Sequence, residues 1–296
     1  MESYPYPARK LVQALADEAA ASPMRAVSFQ GAPGANSHQA VRDASPDAIA
    51  LPCFSFEDAL DAVQAGRAGR AMIPIENSIH GRVADIHFLL PESGLSIIGE
   101  YFLRVRHCLV GTGRLADVAE AMSHPQALGQ CRKWLRARNI KPVVNADTAG
   151  AAAQAAENAD PRVAAISPRL AAELYGLELL AEGIEDEAHN TTRFVILSRE
   201  PQTPTAGTPS MTSFMFEVKN VPAALYKALG SFATNGINVT KLESYQRGGS
   251  FSATEFYAEL VGRPEDDGVA AALDELRFHA KWVRLLGSYR QARARV

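Results

Sequence analysis

The chain has 296 residues, of which 47% are hydrophobic and 21% charged, with a formal net charge of -3. That length suits two compact domains better than one, and the apolar fraction supports buried cores rather than disorder. The weakly acidic balance leaves no basic footprint for nucleic acid or acidic membranes, and no apolar run reaches the length of a membrane span.

Residues 8–21 carry Arg9, Lys10, Asp17 and Glu18 and read as an exposed helix, not as a secretory signal, so the cytoplasm is the expected compartment. Strands are expected at 26–29, 49–54 and 71–75, with helices at 37–44 and 56–65, the latter capped by Ser55 and ended by Gly66. A β-rich stretch follows at 97–110, with a break near Arg104. Further strands are expected at 121–123, 142–145, 163–166 and 194–198, and helices at 126–137, 148–158 and 168–175. This alternation predicts an α/β architecture with mostly parallel sheet.

Residues 201–210 are rich in Pro, Gly and hydroxyl side chains and read as a linker. Beyond it, Phe214, Phe216 and Val218 alternate with polar neighbours at a strand period. A helix from Pro222 to Thr234 follows, then strands at 237–245 and 252–261 joined by a turn at 246–250, a helix at 265–280 and a strand at 282–289. The order βαββαβ is ferredoxin-like, and a small tethered module of this kind suits regulation or pairing.

Small polar residues recur where strands end and helices begin: Asn36 and Ser37, Asn77 and Ser78, Asp147 and Thr148, and Ser167. They read either as helix caps or as the lining of an anion cleft at the carboxyl ends of the strands. The turn 31–37 is neither a phosphate-binding loop nor a dinucleotide fingerprint; it either lets backbone approach a carboxylate or is a plain turn. His80 and His87 share a helical segment at a spacing unsuited to paired metal ligands, and His124 follows a strand, beside a cleft or in a structural role. The cysteines Cys53, Cys108 and Cys131 are dispersed, which suggests buried free thiols. No metal site or cofactor is expected. Arg290, Arg293 and Arg295 read as a solvated terminus or a small anion-binding tail. These observations lead to a donor-rich cleft and a tethered domain, without a reaction.

Residues 74–78 read PIENS, followed by Gly81 and Val83, and residues 190–194 read NTTRF. FQGAPGANSHQA from Phe29, SHPQALGQC from Ser123, ADTAGAA from Ala146 and AAISPRLAAELYGL from Ala164 complete an ordered set over residues 25–198. This set resembles the prephenate dehydratase family. The resemblance implies an α/β fold with a two-lobed catalytic domain similar to type II periplasmic binding proteins, plus a ferredoxin-like βαββαβ ACT domain. It places an N-terminal extension at 1–24, the catalytic domain at 25–200 and the ACT domain at 211–290. Lobe 1 is then about 25–104 and 190–200 and lobe 2 about 105–189, and a chorismate-mutase-like helical domain is not expected before residue 25.

The implied reaction is decarboxylation of prephenate with loss of its ring hydroxyl, giving phenylpyruvate. By the match, Thr192 either donates to the leaving hydroxyl or orients it. Arg193 clamps substrate or pairs with Glu76 or Asp147, and Phe194 packs on the substrate ring or in the core. Asn77 and Ser78 donate to substrate oxygens, with Ser37, Gln126 and Thr148 as further substrate-binding candidates. In the tail, Ala223, Ala224, Leu225, Asn238, Glu243 and Ser244 fall where the family holds phenylalanine. Ala223 replaces the usual Gly, and Tyr245-Gln246 replaces the usual Arg-Pro. The implied partners are prephenate, phenylalanine and further copies of the chain in a homodimer or homotetramer. Arogenate dehydration and a non-catalytic amino-acid sensor are the alternatives, and GAPGANSH departs from the commoner form of its motif.

Overall fold

The structure is a computed structural model that describes residues 4–83, 86–246 and 254–295. The chain divides into two units, Met1–Val83 with Tyr101–Phe194, and Ala84–Glu100 with Val195–Val296.

The first helix, α1 (Tyr6–Ala21), buries Ala8, Val12 and Ala19 along one face, so it is only partly exposed. There follow β1 (Ala26–Gln30), α2 (Asn36–Ala44), β2 (Ile49–Cys53), α3 (Phe56–Gln64), β3 (Arg70–Asn77), β4 (Gly81–Arg82), α4 (Ile86–Glu92) and β5 (Ser96–Arg104). Ser55 caps α3 reciprocally: its hydroxyl accepts from Asp58 N at 3.0 Å while Asp58 accepts from Ser55 N at 3.2 Å. After a break at 105–107 come β6 (Cys108–Gly111), β7 (Glu120–Ser123), α5 (Pro125–Gln130), α6 (Arg132–Ala137), β8 (Lys141–Val144), α7 (Thr148–Asn158), β9 (Val163–Ser167), α8 (Arg169–Tyr175), β10 (Glu178–Glu182) and β11 (Thr191–Ser198).

These strands form two sheets. One has the order β2-β1-β3-β11-β5 with β4 on β3, and the other the order β10-β6-β9-β7-β8. Strand β1 pairs in parallel with β2 and β3, whereas β6 is antiparallel to both β9 and β10, so the architecture is mixed rather than mostly parallel. The difference comes from β6, which runs against both its neighbours, whereas β9 and β10 flank it in the same direction and are joined through α8. The expected helix 126–137 is two helices, because the backbone at Cys131 leaves helical geometry. His80 and His87 share no helix: His80 lies in the turn before β4 and His87 in α4. In the turn 31–37, Gly34 has φ +91° and lies so close to α8 that an added Cβ would come within 2.7 Å of Ala171 Cα. Tyr175 donates to Pro33 O at 2.7 Å and fastens the same turn.

The remaining elements are β12 (Ser210–Val218), α9 (Ala224–Thr234), β13 (Val239–Tyr245), β14 (Glu255–Val261), α10 (Asp267–His279) and β15 (Ala280–Arg290). They make an antiparallel sheet of order β13-β14-β12-β15, the strand arrangement of a ferredoxin-like fold. Phe214, Phe216, Phe256, Ala258 and Leu260 form its core with Ala228 and Phe232 of α9 and Leu273 and Leu276 of α10. Ser210, placed in the linker by composition, opens β12, and Pro204 O accepts from Arg263 Nη1 at 3.1 Å. Pro222 precedes α9 instead of starting it, because Ala223 adopts a left-handed φ of 63° at the cap. Most of the turn expected at 246–250, and the start of the strand expected at 252, lie outside the described residues.

Candidate active site

Asn77 ends β3 where the chain turns into β4. Its Oδ1 accepts the main-chain N–H groups of Ile79 at 3.0 Å and His80 at 3.1 Å, which fixes the face of the amide. Its Nδ2 then donates to Asn190 Oδ1 at 2.8 Å, Thr192 Oγ1 at 3.0 Å and, at 3.4 Å, Thr191 O. Ser78 pins the start of β11: its N–H donates to Thr191 O at 2.9 Å, its hydroxyl donates to His189 O at 2.9 Å, and it accepts from Thr191 N at 2.9 Å. The PIENS and NTTRF segments, more than a hundred residues apart in sequence, therefore meet at Asn77 and Thr192.

Thr192 Oγ1 acts as acceptor toward Asn77, so the hydroxyl proton is directed elsewhere, and no protein group among the described residues takes it. A half-buried hydroxyl whose lone pair already receives an N–H is set up to donate to a ligand.

Arg193 is buried, with Nη1 3.9 Å from Glu76 Oε2 and its guanidinium 5.9 Å from the Phe102 ring centroid. Phe194 is 1% exposed and packs in the interior. Ser37 is buried in the first turn of α2. Thr148 is half-buried in the first turn of α7, whose cap Asp147 accepts from Gly150 N at 2.6 Å. Burial raises the Asp147 pKa. Neither Ser37 nor Thr148 joins the hydrogen bonds around Asn77. His124 caps α5, its Nδ1 accepting from Gln126 N at 3.3 Å. Gln126 is exposed and lines a cavity of about 600 Å³ together with His80, Gln130, Glu185 and Asn190.

Three residues with no assigned role in the sequence reading belong to the network. Asn190 Nδ2 donates to Gln130 Oε1 at 3.0 Å, and that oxygen lies 2.5 Å from His107 Nε2. Asn190 and Gln130 lie inside the motifs NTTRF and SHPQALGQC, so their positions carried a signal; His107 lies in the break after β5, with no pattern around it. No group of three or more His, Cys, Asp or Glu side chains able to hold a metal ion comes together among the described residues.

In the second unit, Ala223 and Asn238 are exposed, and Ala224 and Leu225 pack partly against the core. Glu243 accepts from Tyr245 Oη at 2.8 Å and lies 3.0 Å from Lys241 Nζ, while Ser244 faces outward. Burial pushes the Glu243 carboxyl up, but the Lys241 and Tyr245 contacts and the His87 imidazole outweigh it and hold its pKa low.

The arrangement is of the α/β class, with a threonine hydroxyl held in a network of side-chain amides. Comparison with known proteins gives this class its family: residues 27–202 match the family described as prephenate dehydratase. A bifunctional N-acyl-homoserine lactone acylase/prephenate dehydratase of Komagataeibacter europaeus is 50% identical over 90% of this chain and 95% of its own length. An arogenate dehydratase/prephenate dehydratase of Arabidopsis thaliana is 37% identical over 89% of this chain and 71% of its own. The crystal structure of an Arthrobacter aurescens prephenate dehydratase in complex with L-Phe superposes with a TM-score of 0.82 at 32% identity, covering 90% of each chain. The chain belongs to the prephenate dehydratase family and is a dehydratase of aromatic amino-acid biosynthesis.

Proposed function

We propose that the protein converts prephenate to phenylpyruvate, with Thr192 as the proton donor to the departing ring hydroxyl. The hydrogen bond from Asn77 Nδ2 to Thr192 Oγ1 carries this reading, because it leaves the threonine proton free for the substrate. The bond between the ring and its carboxylate breaks, and its electron pair enters the ring. The C–O bond at the opposite ring carbon breaks as the hydroxyl receives a proton, so carbon dioxide and water leave and the ring becomes aromatic. Aromatisation supplies the driving force, and positioning with modest acid assistance suffices. Ser78, Ser37, Gln126 and Thr148 are proposed to line the substrate. Arg193, buried beside Glu76, contributes positive potential from within, and Phe194 supports β11 from the core.

Prephenate and arogenate, supplied separately to the purified protein, decide the substrate by product analysis. Phenylpyruvate from prephenate is expected, and absence of turnover with both from folded protein overturns the reading. Thr192→Ala is expected to lower kcat by at least ~10²-fold with KM little changed. A second activity, cleavage of the N-acyl-homoserine lactone amide, is proposed on the 50% identity to the bifunctional relative, and release of free homoserine lactone tests it.

Residues 211–290 are proposed to be an ACT domain that binds phenylalanine between paired copies and lowers activity, with Ala223, Ala224, Leu225, Asn238, Glu243 and Ser244 at the ligand. Support comes from the βαββαβ arrangement and the L-Phe complex of the relative. Inhibition requires that phenylalanine prefer the less active state. Calorimetry and activity assays with and without phenylalanine test this, and light scattering tests the proposed homodimer or homotetramer. No helix among the described residues is long and apolar enough to cross a membrane, and a cytoplasmic location is proposed.

A further inference from the structure

We propose that His107 is a positioning residue for the Thr192 hydroxyl, acting as its Nε2–H tautomer through Gln130, Asn190 and Asn77. The proposal rests on the dehydratase reading of Thr192.

The hydrogen bonds close in one polarity. Main-chain N–H groups can only donate, so those of Ile79 and His80 fix Asn77 Oδ1 as an acceptor and Asn77 Nδ2 as a donor. Asn190 must then face Asn77 with Oδ1, which turns its Nδ2 toward Gln130. Gln130 must receive that N–H with Oε1, and the same oxygen lies 2.5 Å from His107 Nε2. Oxygen cannot donate here, so the proton between them belongs to Nε2. A flipped Gln130 would set its amino group against that of Asn190, and an Nδ1–H tautomer would set two lone pairs against each other at 2.5 Å.

The surroundings keep the imidazole neutral. His107 is 3% exposed, and burial lowers its pKa, with Gln130 and Glu185 opposing more weakly. Its main-chain N–H donates to Glu185 Oε2 at 2.9 Å, which holds the residue between β5 and β6. Its Nδ1 is buried with no hydrogen-bond partner among the described residues. A bare lone pair there is less costly than an orphaned N–H, which again selects the Nε2–H form. Without that donor, Gln130 Oε1 keeps only the N–H of Asn190, the bonds along the chain weaken, and the Asn190 oxygen that receives the Asn77 amide is held less firmly behind Thr192. Chains of this kind are stronger than isolated pairs because each bond polarises the next.

Nitrogen-15 NMR of the folded wild-type protein without substrate reads the tautomer directly, with the His107 signals assigned by their loss in His107→Gln. The expected result at neutral pH is a protonated Nε2 and an unprotonated Nδ1. Kinetics on prephenate then read the role. His107→Leu, which removes the donor, is expected to lower kcat by about tenfold or more with KM within about threefold. His107→Gln, whose Nε2–H falls at nearly the same place, is expected to restore kcat to within about threefold of wild type. A protonated Nδ1, wild-type kcat in His107→Leu, or a folded His107→Gln no better than His107→Leu overturns the proposal. If His107→Leu does not fold, the tautomer and the kcat of His107→Gln decide it. Failure of the wild-type protein to turn over prephenate instead sinks the dehydratase reading, and the NMR result still settles the polarity of the network.

Discussion

The hydrogen bonds that run from Thr192 to His107 join a hydroxyl, three amides and an imidazole, whereas the sheet of the second unit buries carboxylates, a lysine and tyrosines on the face opposite α9 and α10. There Tyr257 Oη donates to Glu259 Oε1 at 2.6 Å and lies 3.2 Å from Ser213 Oγ, and Ser213 Oγ meets Tyr289 Oη at 2.8 Å. The His87 ring lies 5.4 Å from that of Tyr245 and 5.0 Å from that of Tyr257, with Nε2 4.0 Å from Glu243. The amide network takes its direction from main-chain N–H groups, which do not titrate, so its polarity holds across pH. The acidic layer depends on which carboxylates are ionised.

The largest effect expected from breaking this contrast is Asn77→Asp, which puts a carboxylate where the amide N–H faces Thr192. The threonine proton is then drawn to the carboxylate instead of the substrate, and kcat should fall by about 10²–10³-fold, as for loss of an oxyanion donor. A stopped assay on prephenate checks this, and a loss confined to KM would show that Asn77 only binds.

Acid denaturation separates the two units by pH window. His38 of the first unit stacks on Phe29, its Nδ1 accepts from Gly34 N at 3.0 Å, and burial, helped by Arg42, lowers its pKa from 6.5 to about 4. A depressed histidine pKa means the unfolded chain takes up the proton first, so stability falls as pH drops from 6.5 toward 4, by roughly 3 kcal/mol in all. Glu243 is lowered, so its contribution is present above the unfolded carboxylate value and lost as pH falls through the lower folded one. Denaturant midpoints between pH 7 and pH 4 should therefore drop for wild type and stay flatter for His38→Asn, which keeps an acceptor for Gly34 N but does not titrate. Equal slopes in the two proteins would remove His38 from the account.

Tyr257→Phe strips a donor from Glu259, which is 1% exposed, and should destabilise the second unit by about 1–3 kcal/mol. The smallest effect is a gain: Ala223→Gly relieves a side chain at φ 63° and should add about 1 kcal/mol, read as a rise in melting temperature. A fall would mean that the entropy Gly brings to the unfolded chain outweighs the strain.

Much of this arrangement was legible along the sequence. The Ser55 cap, the break after Arg104 and the βαββαβ order of the tail are local signals, set by side-chain pattern within a few residues. Strand β10 and the bounds of helix α4 escaped because each is short, β10 having five residues and α4 seven with Pro91 inside it. Thr192 and Asn77, which the structure joins by a hydrogen bond, were named from family motifs, since no periodicity marks them. His107 was not, because its meaning comes from Gln130 and Glu185, distant in sequence, and a lone histidine in an apolar stretch has no local pattern to betray it. The mixed direction of the second sheet was likewise hidden, since β6 reads the same whether its neighbours run parallel or antiparallel.

The most direct test of the central claim, that a hydroxyl held by Asn77 gives its proton to the leaving group, is the pair Thr192→Ser and Thr192→Val assayed on prephenate. Serine keeps an oxygen within reach of Asn77 and should retain kcat within about tenfold, while valine, nearly the same shape without the hydroxyl, should lose at least ~10²-fold with KM little changed. Wild-type turnover in Thr192→Val would contradict the account.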